Sequence, residues 1–254
     1  MNKTITLACL MALSFITLLG QAQKINETAI TFLVDATDPT VFNAVENDFN
    51  QNLNAFFTNI GIGEIGLGQR LTIRMGVIDE SDQLTLKTKS IAWTDKKLSK
   101  KEAARQRDPR PLVQMIGSEL ARCKQLSEKQ MTSSPIIDIV LKVFRGEMNT
   151  EANEIIVICT DALENSQYAN FHKNNVPTTE QEVKKLIAKI DPVLLAEAKE
   201  QVASTDPMVI IVLKANDKVK KNAELKKFYN EFFHQIGVNT VRYIDNFSNN
   251  PRLP

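Results

Sequence analysis

Histidine and cysteine, which supply most zinc sites and many catalytic groups, are scarce in this sequence. Its 254 residues include two histidines and three cysteines. His172 and His234 match no zinc-ligand spacing. No Gly-x-Ser-x-Gly elbow is present to carry the nucleophile of a Ser-His-Asp triad. Because the sequence offers no catalytic motif, we predict that the protein is not an enzyme.

The cysteines also give no sign of a disulfide framework. Cys9 belongs to the N-terminal apolar segment. Cys123 falls in a predicted helix and Cys159 in a predicted strand, where a buried free thiol is the ordinary expectation.

A surplus of either charge sign is lacking as well. Lysine and arginine total 31 and aspartate and glutamate 30, which leaves a net charge of +1. One basic stretch occurs at residues 96–110, but it contains no aromatic side chain on which a base could stack. Such charge runs are typical of solvated loops and helix flanks. We therefore expect no nucleic-acid partner.

Long apolar runs are confined to the N-terminus. Lys3 precedes the apolar residues 7–19, and the small residues Gly20 and Ala22 stand three and one positions before the cleavage point, a pattern typical of a secretory signal peptide spanning residues 1–22. We predict export to the periplasm or the extracellular space, with residues 23–254 as one domain. Lipid attachment at Cys9 is disfavoured because the apolar run continues past it. No later run approaches the roughly 20 apolar residues of a membrane-spanning helix.

The remaining sequence alternates between strand-like and helix-like patterns. Apolar runs predict strands at 29–34, 71–78, 84–93, 154–160, 208–213 and 238–244, with helical periodicity in most of the intervals between them. The run 154–160 is apolar at consecutive positions, as in a strand covered on both faces. The short connection before 84–93 predicts a hairpin and an antiparallel edge strand. We predict a doubly wound, mostly parallel open α/β sheet in three layers, with helices on both faces.

Two predicted central strands end in a carboxylate, Asp35 and Asp161. In open α/β sheets, ligands bind beyond the carboxyl ends of the strands, where the strand order reverses. Hydroxyl side chains stand nearby in the sequence: Thr37 follows the first strand, and Ser133 and Ser134 precede a predicted helix. These residues are the candidate site. We assign Asp38 and Asn165, beside them in sequence, to contact with a partner.

With these residues in that order, the sequence resembles the von Willebrand factor A (vWA) domain family. Its metal-ion-dependent adhesion site combines an Asp-x-Ser-x-Ser loop, a threonine from a later loop and an aspartate after the fourth strand. By that resemblance Asp35 and Thr37 belong to the first loop, Ser133 or Ser134 stands for the threonine, and Asp161 is the last carboxylate. The resemblance implies Mg²⁺ or Mn²⁺ as a cofactor, since such hard cations prefer oxygen ligands.

Two positions depart from this family pattern. Pro39 stands where the loop should supply a second hydroxyl, and Ala162 follows Asp161 where a glycine is usual. The resemblance therefore implies a degenerate site. Each residue also has a structural alternative: Asp38 and the two serines are good helix caps, and strand-end aspartates often accept bonds from loop amides.

Three functions are consistent with these residues. The first hypothesis is an exported vWA-like binding module that recognises a protein partner at the C-terminal edge of its sheet, with or without a divalent cation. The second is a metal-independent structural subunit of an envelope or secretion assembly, which Pro39 favours. The third is a Mg²⁺-dependent hydrolase that uses Asp35 and Asp161, as carboxylate pairs around a metal can.

Overall fold

A computed structural model describes residues 26–59, 69–81, 83–93, 108–129, 131, 133–214 and 219–249. The predicted signal peptide, including Cys9, lies outside the described residues, as does most of the basic stretch 96–110. None of the helices in these described ranges is long and apolar enough to cross a membrane.

Six strands and six helices form the described fold. The strands are β1 (Asn26–Asp35), β2 (Gln69–Ile78), β3 (Lys87–Trp93), β4 (Ala152–Thr160), β5 (Met208–Leu213) and β6 (Thr240–Ile244). The helices are α1 (Pro39–Asn59), α2 (Arg110–Ser127), α3 (Ile136–Gly146), α4 (Glu180–Ile187), α5 (Pro192–Thr205) and α6 (Val219–Gln235). All six predicted strands are present, with ends that differ by a few residues.

The strands form one sheet in the order β3-β2-β1-β4-β5-β6. Only β3 runs antiparallel to its neighbour, and the remaining pairs are parallel. The predicted doubly wound fold with an antiparallel edge strand is therefore confirmed. The chain winds outward in one direction from β1 and in the other from β4, so the strand order reverses between these two neighbours. That is where ligands bind in folds of this type.

Helices cover both faces of the sheet. Strand β4 sends Ile155, Val157 and Cys159 into the apolar layer beneath α1 and α2. Its alternate residues, Ile156 and Ile158, enter the layer beneath α3 to α6. The consecutive apolar pattern of β4 thus reflects burial on both sides, because successive strand residues point to opposite faces.

Aspartate side chains cap the first turns of α1 and α5. Asp38 caps α1, as predicted, through bonds from the amides of Thr40 (2.6 Å) and Val41 (3.4 Å) to Oδ1. Asp191 caps α5 in the same way, since its Oδ1 accepts the amide hydrogens of Val193 (2.8 Å) and Leu194 (2.9 Å).

The start of α3 differs from what the sequence predicts. Neither Ser133 nor Ser134 caps α3; the cap position is Pro135, which makes no side-chain capping bond. The physical reason is that the hydroxyl of Ser134 donates to Asp35 instead.

Candidate functional site

Asp35 is the centre of the candidate site. It ends β1 and is almost completely buried. Its Oδ1 accepts hydrogen bonds from the amide of Thr37 (3.0 Å) and from the hydroxyl of Thr37 (2.6 Å). Its Oδ2 accepts from the hydroxyls of Ser134 (3.1 Å) and Thr160 (2.7 Å). One carboxylate thereby joins the end of β1, the segment before α3 and the end of β4.

The direction of these bonds matters for the chemistry of the site. The hydroxyls of Thr37, Ser134 and Thr160 all donate to Asp35. A hydroxyl has one proton and two acceptor lone pairs, so donation leaves its lone pairs available to another donor or a cation. In the described part of the chain, no basic side chain forms an ion pair with Asp35. Within the described residues, the carboxyl group of Asp35 is therefore held by hydrogen-bond donors and not by an ion pair.

Asp161 is the second carboxylate and follows β4 directly. Its Oδ1 accepts the amide hydrogen of Leu163 at 2.8 Å. Burial, together with the negative charge of Asp35, raises the pKa of Asp161 to about 7. An added cation beside Asp161 would reverse part of that effect, because an opposite charge favours the ionised carboxylate.

The turn after Asp161 has an uncommon backbone conformation. Ala162 has φ = 64°, in the left-handed region that favours glycine. Its amide donates to the hydroxyl of Thr160 at 2.9 Å. This hydrogen bond and the one from Thr160 to Asp35 hold the turn against the end of β1.

The loop that follows is tied to the segment before α3. Ser134 and Asn165 form an antiparallel bridge, with N–H to O distances of 2.8 Å and 3.0 Å in the two directions. The side chain of Asn165 accepts from Nδ2 of Asn170 at 2.8 Å. Ser134 is thus held from two sides, by its backbone to Asn165 and by its hydroxyl to Asp35.

A hollow of about 310 Å³ opens above these groups. The residues lining it are Thr37, Asp38, Met131, Ser133, Ser134, Asp161, Asn165 and His172. All the site residues predicted from sequence come together here. Six of them line the hollow, and Asp35 lies beneath, bonded to Thr37 and Ser134. Burial, followed by the charge of Lys221, lowers the pKa of His172, so its imidazole favours the neutral form.

Sequence reasoning missed Thr160 and His172. Thr160 could have been found from strand register. Because Val34 is paired with Cys159, the next residue of β4 lies beside Asp35. His172 gave no such signal, since its place at the hollow depends on the path of the loop after β4.

The donor set suits a hard cation better than zinc. Within the described ranges, no group of three or more His, Cys, Asp or Glu side chains is arranged to hold a metal ion. The oxygens that line the hollow come instead from the hydroxyls of Thr37, Ser133 and Ser134 and from the carboxylates of Asp38 and Asp161. Mg²⁺ keeps several waters and needs only a few protein oxygens, so this set fits such an ion.

Comparisons with known proteins identify no family. No protein-family model matches the chain, and neither does any curated protein. Solved structures that resemble it include human Sec24c, a COPII-coat protein (10% identity, TM-score 0.44), and the pilus adhesin SpaC from Lactobacillus rhamnosus GG (14%, 0.42). Another is proximal thread matrix protein 1 from the mussel byssus (12%, 0.34).

These alignments cover 88%, 88% and 87% of this chain, but 30%, 28% and 42% of the respective known chains. The chain therefore spans less than half of each neighbour. With TM-scores below 0.5, the likenesses carry no argument about family or function.

Proposed function

We propose that this protein is an exported, vWA-like binding module that recognises a protein partner at the C-terminal edge of its sheet. The observation that carries the proposal is the convergence of Asp35, Thr37, Ser134 and Asp161 at an open hollow between the ends of β1 and β4. These four residues come from three separate segments of the chain. Convergent polar groups at an open hollow are a typical feature of binding sites.

The second part of the proposal is a divalent cation, Mg²⁺ or Mn²⁺. Thr37 and Ser134 would offer hydroxyl oxygens whose protons already point to Asp35, and Asp161 would offer its carboxylate. Buried charges in proteins are generally paired or coordinate metals, and Asp35 has no paired basic group in the described ranges. A bound cation would supply that positive charge and leave a coordination position for an acidic group of the partner.

A thermal-denaturation experiment tests the cation. The melting temperature of the purified chain is measured in EDTA, in millimolar Mg²⁺ and in millimolar Mn²⁺. Binding to the native state alone raises stability by RT ln(1 + [L]/Kd), about 2.7 kcal/mol at one hundred times Kd. We expect the shift in the wild type and its loss in Asp161→Asn, which keeps the shape of the side chain. Asp191→Asn, at the start of α5, is the control carboxylate and should respond like the wild type.

Two outcomes separate the parts of the proposal. A melting temperature that ignores both cations and EDTA contradicts the cation. Protein recognition is tested independently with a photo-crosslinking residue at Ser133 in the hollow and, as a control, at the exposed Lys199 on α5, in the native envelope. We expect a discrete crosslinked protein from position 133 only. Identical patterns from both positions contradict the binding edge.

A metal-independent structural subunit is the second candidate function. The observation that favours it is that all four hydrogen bonds to Asp35 are made within the chain, so the carboxylate is satisfied without a cation. This candidate predicts a defined crosslinked partner whose yield is unchanged by EDTA.

Export is tested by sequencing the N-terminus of the protein isolated from the envelope or the medium. The proposal predicts Gln23 as its first residue. An N-terminus that retains residues 1–22 contradicts cleavage.

A further inference from the structure

A buried carboxyl group lies in the loop after β4, next in sequence to Asn165 of the hollow, but it does not line the hollow. Glu164 comes three residues after Asp161 and has no exposed surface. Its Oε2 accepts the amide hydrogen of Ile137, in the first turn of α3, at 3.0 Å. Because α3 has no cap from its own preceding residues, the loop after β4 supplies one.

This capping bond adds to the bridge between Ser134 and Asn165. Four hydrogen bonds therefore join the loop after β4 to the start of α3. The backbone of Asn165 donates one and accepts one, the side chain of Glu164 accepts the third, and the hydroxyl of Tyr168 donates the fourth to Asp138 at 3.2 Å. They attach on either side of the short turn from Ser134 to Ile137. The position of the Ser134 hydroxyl over Asp35 thus depends on where Glu164 and Asn165 hold this turn.

Packing alone does not explain a glutamate at this position. Its carboxyl group has no exposed surface, and burying a polar group carries a desolvation cost that an apolar side chain of similar length would avoid. Besides the bond from Ile137, the carboxyl group forms a hydrogen bond with the side chain of Ser166. Burial also raises the pKa of Glu164 to about 8, because the buried site disfavours the ionised carboxylate. What a methionine could not supply is the acceptor for Ile137.

We propose that Glu164 is a positioning residue for the binding site: through its bond to Ile137 it holds Ser134 at the distance from Asp35 that cation binding requires. Glu164 itself is not a ligand, because it does not line the hollow. This inference rests on the cation part of the proposed function.

Mn²⁺ titration of the full exported chain at constant pH tests the inference, with free Mn²⁺ followed by electron paramagnetic resonance. Glu164→Gln keeps an acceptor oxygen at the same reach and should bind Mn²⁺ within about twofold of the wild type. Glu164→Met keeps the length but removes the acceptor, and its Kd should rise about tenfold or more, the equivalent of about 1.4 kcal/mol. The matched control is Glu119→Met, another buried acid, on α2. It should bind like the wild type.

The readout separates positioning from stability, because all variants are compared as folded proteins by circular dichroism. Should Glu164→Met fail to fold, Glu164→Asp withdraws the carboxyl from Ile137 by one methylene and serves in its place. If the wild type binds Mn²⁺ and Glu164→Met, or Glu164→Asp in its place, binds it equally well, the inference alone is overturned. Absence of Mn²⁺ binding by the wild type overturns the cation and the inference together.

Discussion

The buried carboxyl of Glu164 makes stability depend on pH in a direction opposite to that of a salt-bridged acid. Burial raises its pKa from an ordinary 4.5 to about 8 in the folded protein. The native state therefore retains a proton that the unfolded chain releases near pH 4.5. The contribution to stability is fully present below pH 4.5 and is lost as the pH rises to about 8.

The magnitude follows from the interval between the two pKa values. The difference between about 8 and 4.5 is roughly 3.5 pH units, and each unit corresponds to about 1.36 kcal/mol, so the contribution of Glu164 to wild-type stability should fall by about 5 kcal/mol across this range. Glu164→Gln retains the acceptor for Ile137 but cannot ionise. Its stability should lack the part of the decline that Glu164 causes, so the variant becomes more stable relative to the wild type as the pH rises.

Urea unfolding followed by far-ultraviolet circular dichroism measures this effect. The free energy of unfolding is determined between pH 5 and pH 9 for the wild type, Glu164→Gln and Glu200→Gln. The last variant, on the exposed surface of α5, controls for the loss of one carboxylate. The raised pKa of Asp161 acts in the same direction, but it is present in all three proteins and cancels in the comparison. A constant difference between Glu164→Gln and the wild type across this range would refute the reasoning.

Three further predictions concern the core. Cys123 and Cys159 are buried, and burial raises the pKa of both thiols, that of Cys123 to about 12. Both should therefore resist a thiol reagent until urea unfolds the protein, and labelling of either thiol in the native state would contradict this. Arg74 and Glu154 form a buried ion pair with two hydrogen bonds of 2.8 Å and 3.2 Å, and Arg74→Met should cost about 3–5 kcal/mol because the buried carboxylate loses its only ion-pair partner among the described residues. A loss below about 1 kcal/mol in urea unfolding would refute this prediction. The ring of Phe247 packs against three other phenylalanine rings. Phe247→Ala should lower the free energy of unfolding by about 3–5 kcal/mol in the same assay, and an unchanged urea midpoint would contradict this.

Local patterns were sufficient to predict the frame that positions the site. The buried run in β4 and the carboxylates at its end and at the end of β1 are readable from consecutive residues. Once the strands are parallel neighbours, geometry alone brings Asp35 and Asp161 to the same edge. This part of the site needs no knowledge of loop conformation.

The loops were less predictable because their contacts are distant in sequence. Nothing local distinguishes Ser133 from Ser134; the choice is made by the bridge to Asn165, about thirty residues later. Glu164 lies in a polar stretch that predicts exposure, yet it is buried because its acceptor oxygen reaches the start of α3. Both cases depend on hydrogen bonds between segments, which hydrophobic periodicity does not encode.

The two departures from the adhesion-site pattern have local physical explanations. Pro39 is the first residue of α1, directly after the capping Asp38, and proline at that position favours helix initiation because its missing N–H would be unsatisfied in any case. Ala162 adopts a conformation that costs a residue with a Cβ about 1–2 kcal/mol. Its methyl group is buried in the apolar layer under α3 to α6, and burying a CH₂-sized group returns about 0.8 kcal/mol. Glycine would also cost about 0.5–1 kcal/mol in conformational entropy. These terms nearly balance, so alanine at this turn is compatible with the same backbone conformation that a glycine would adopt.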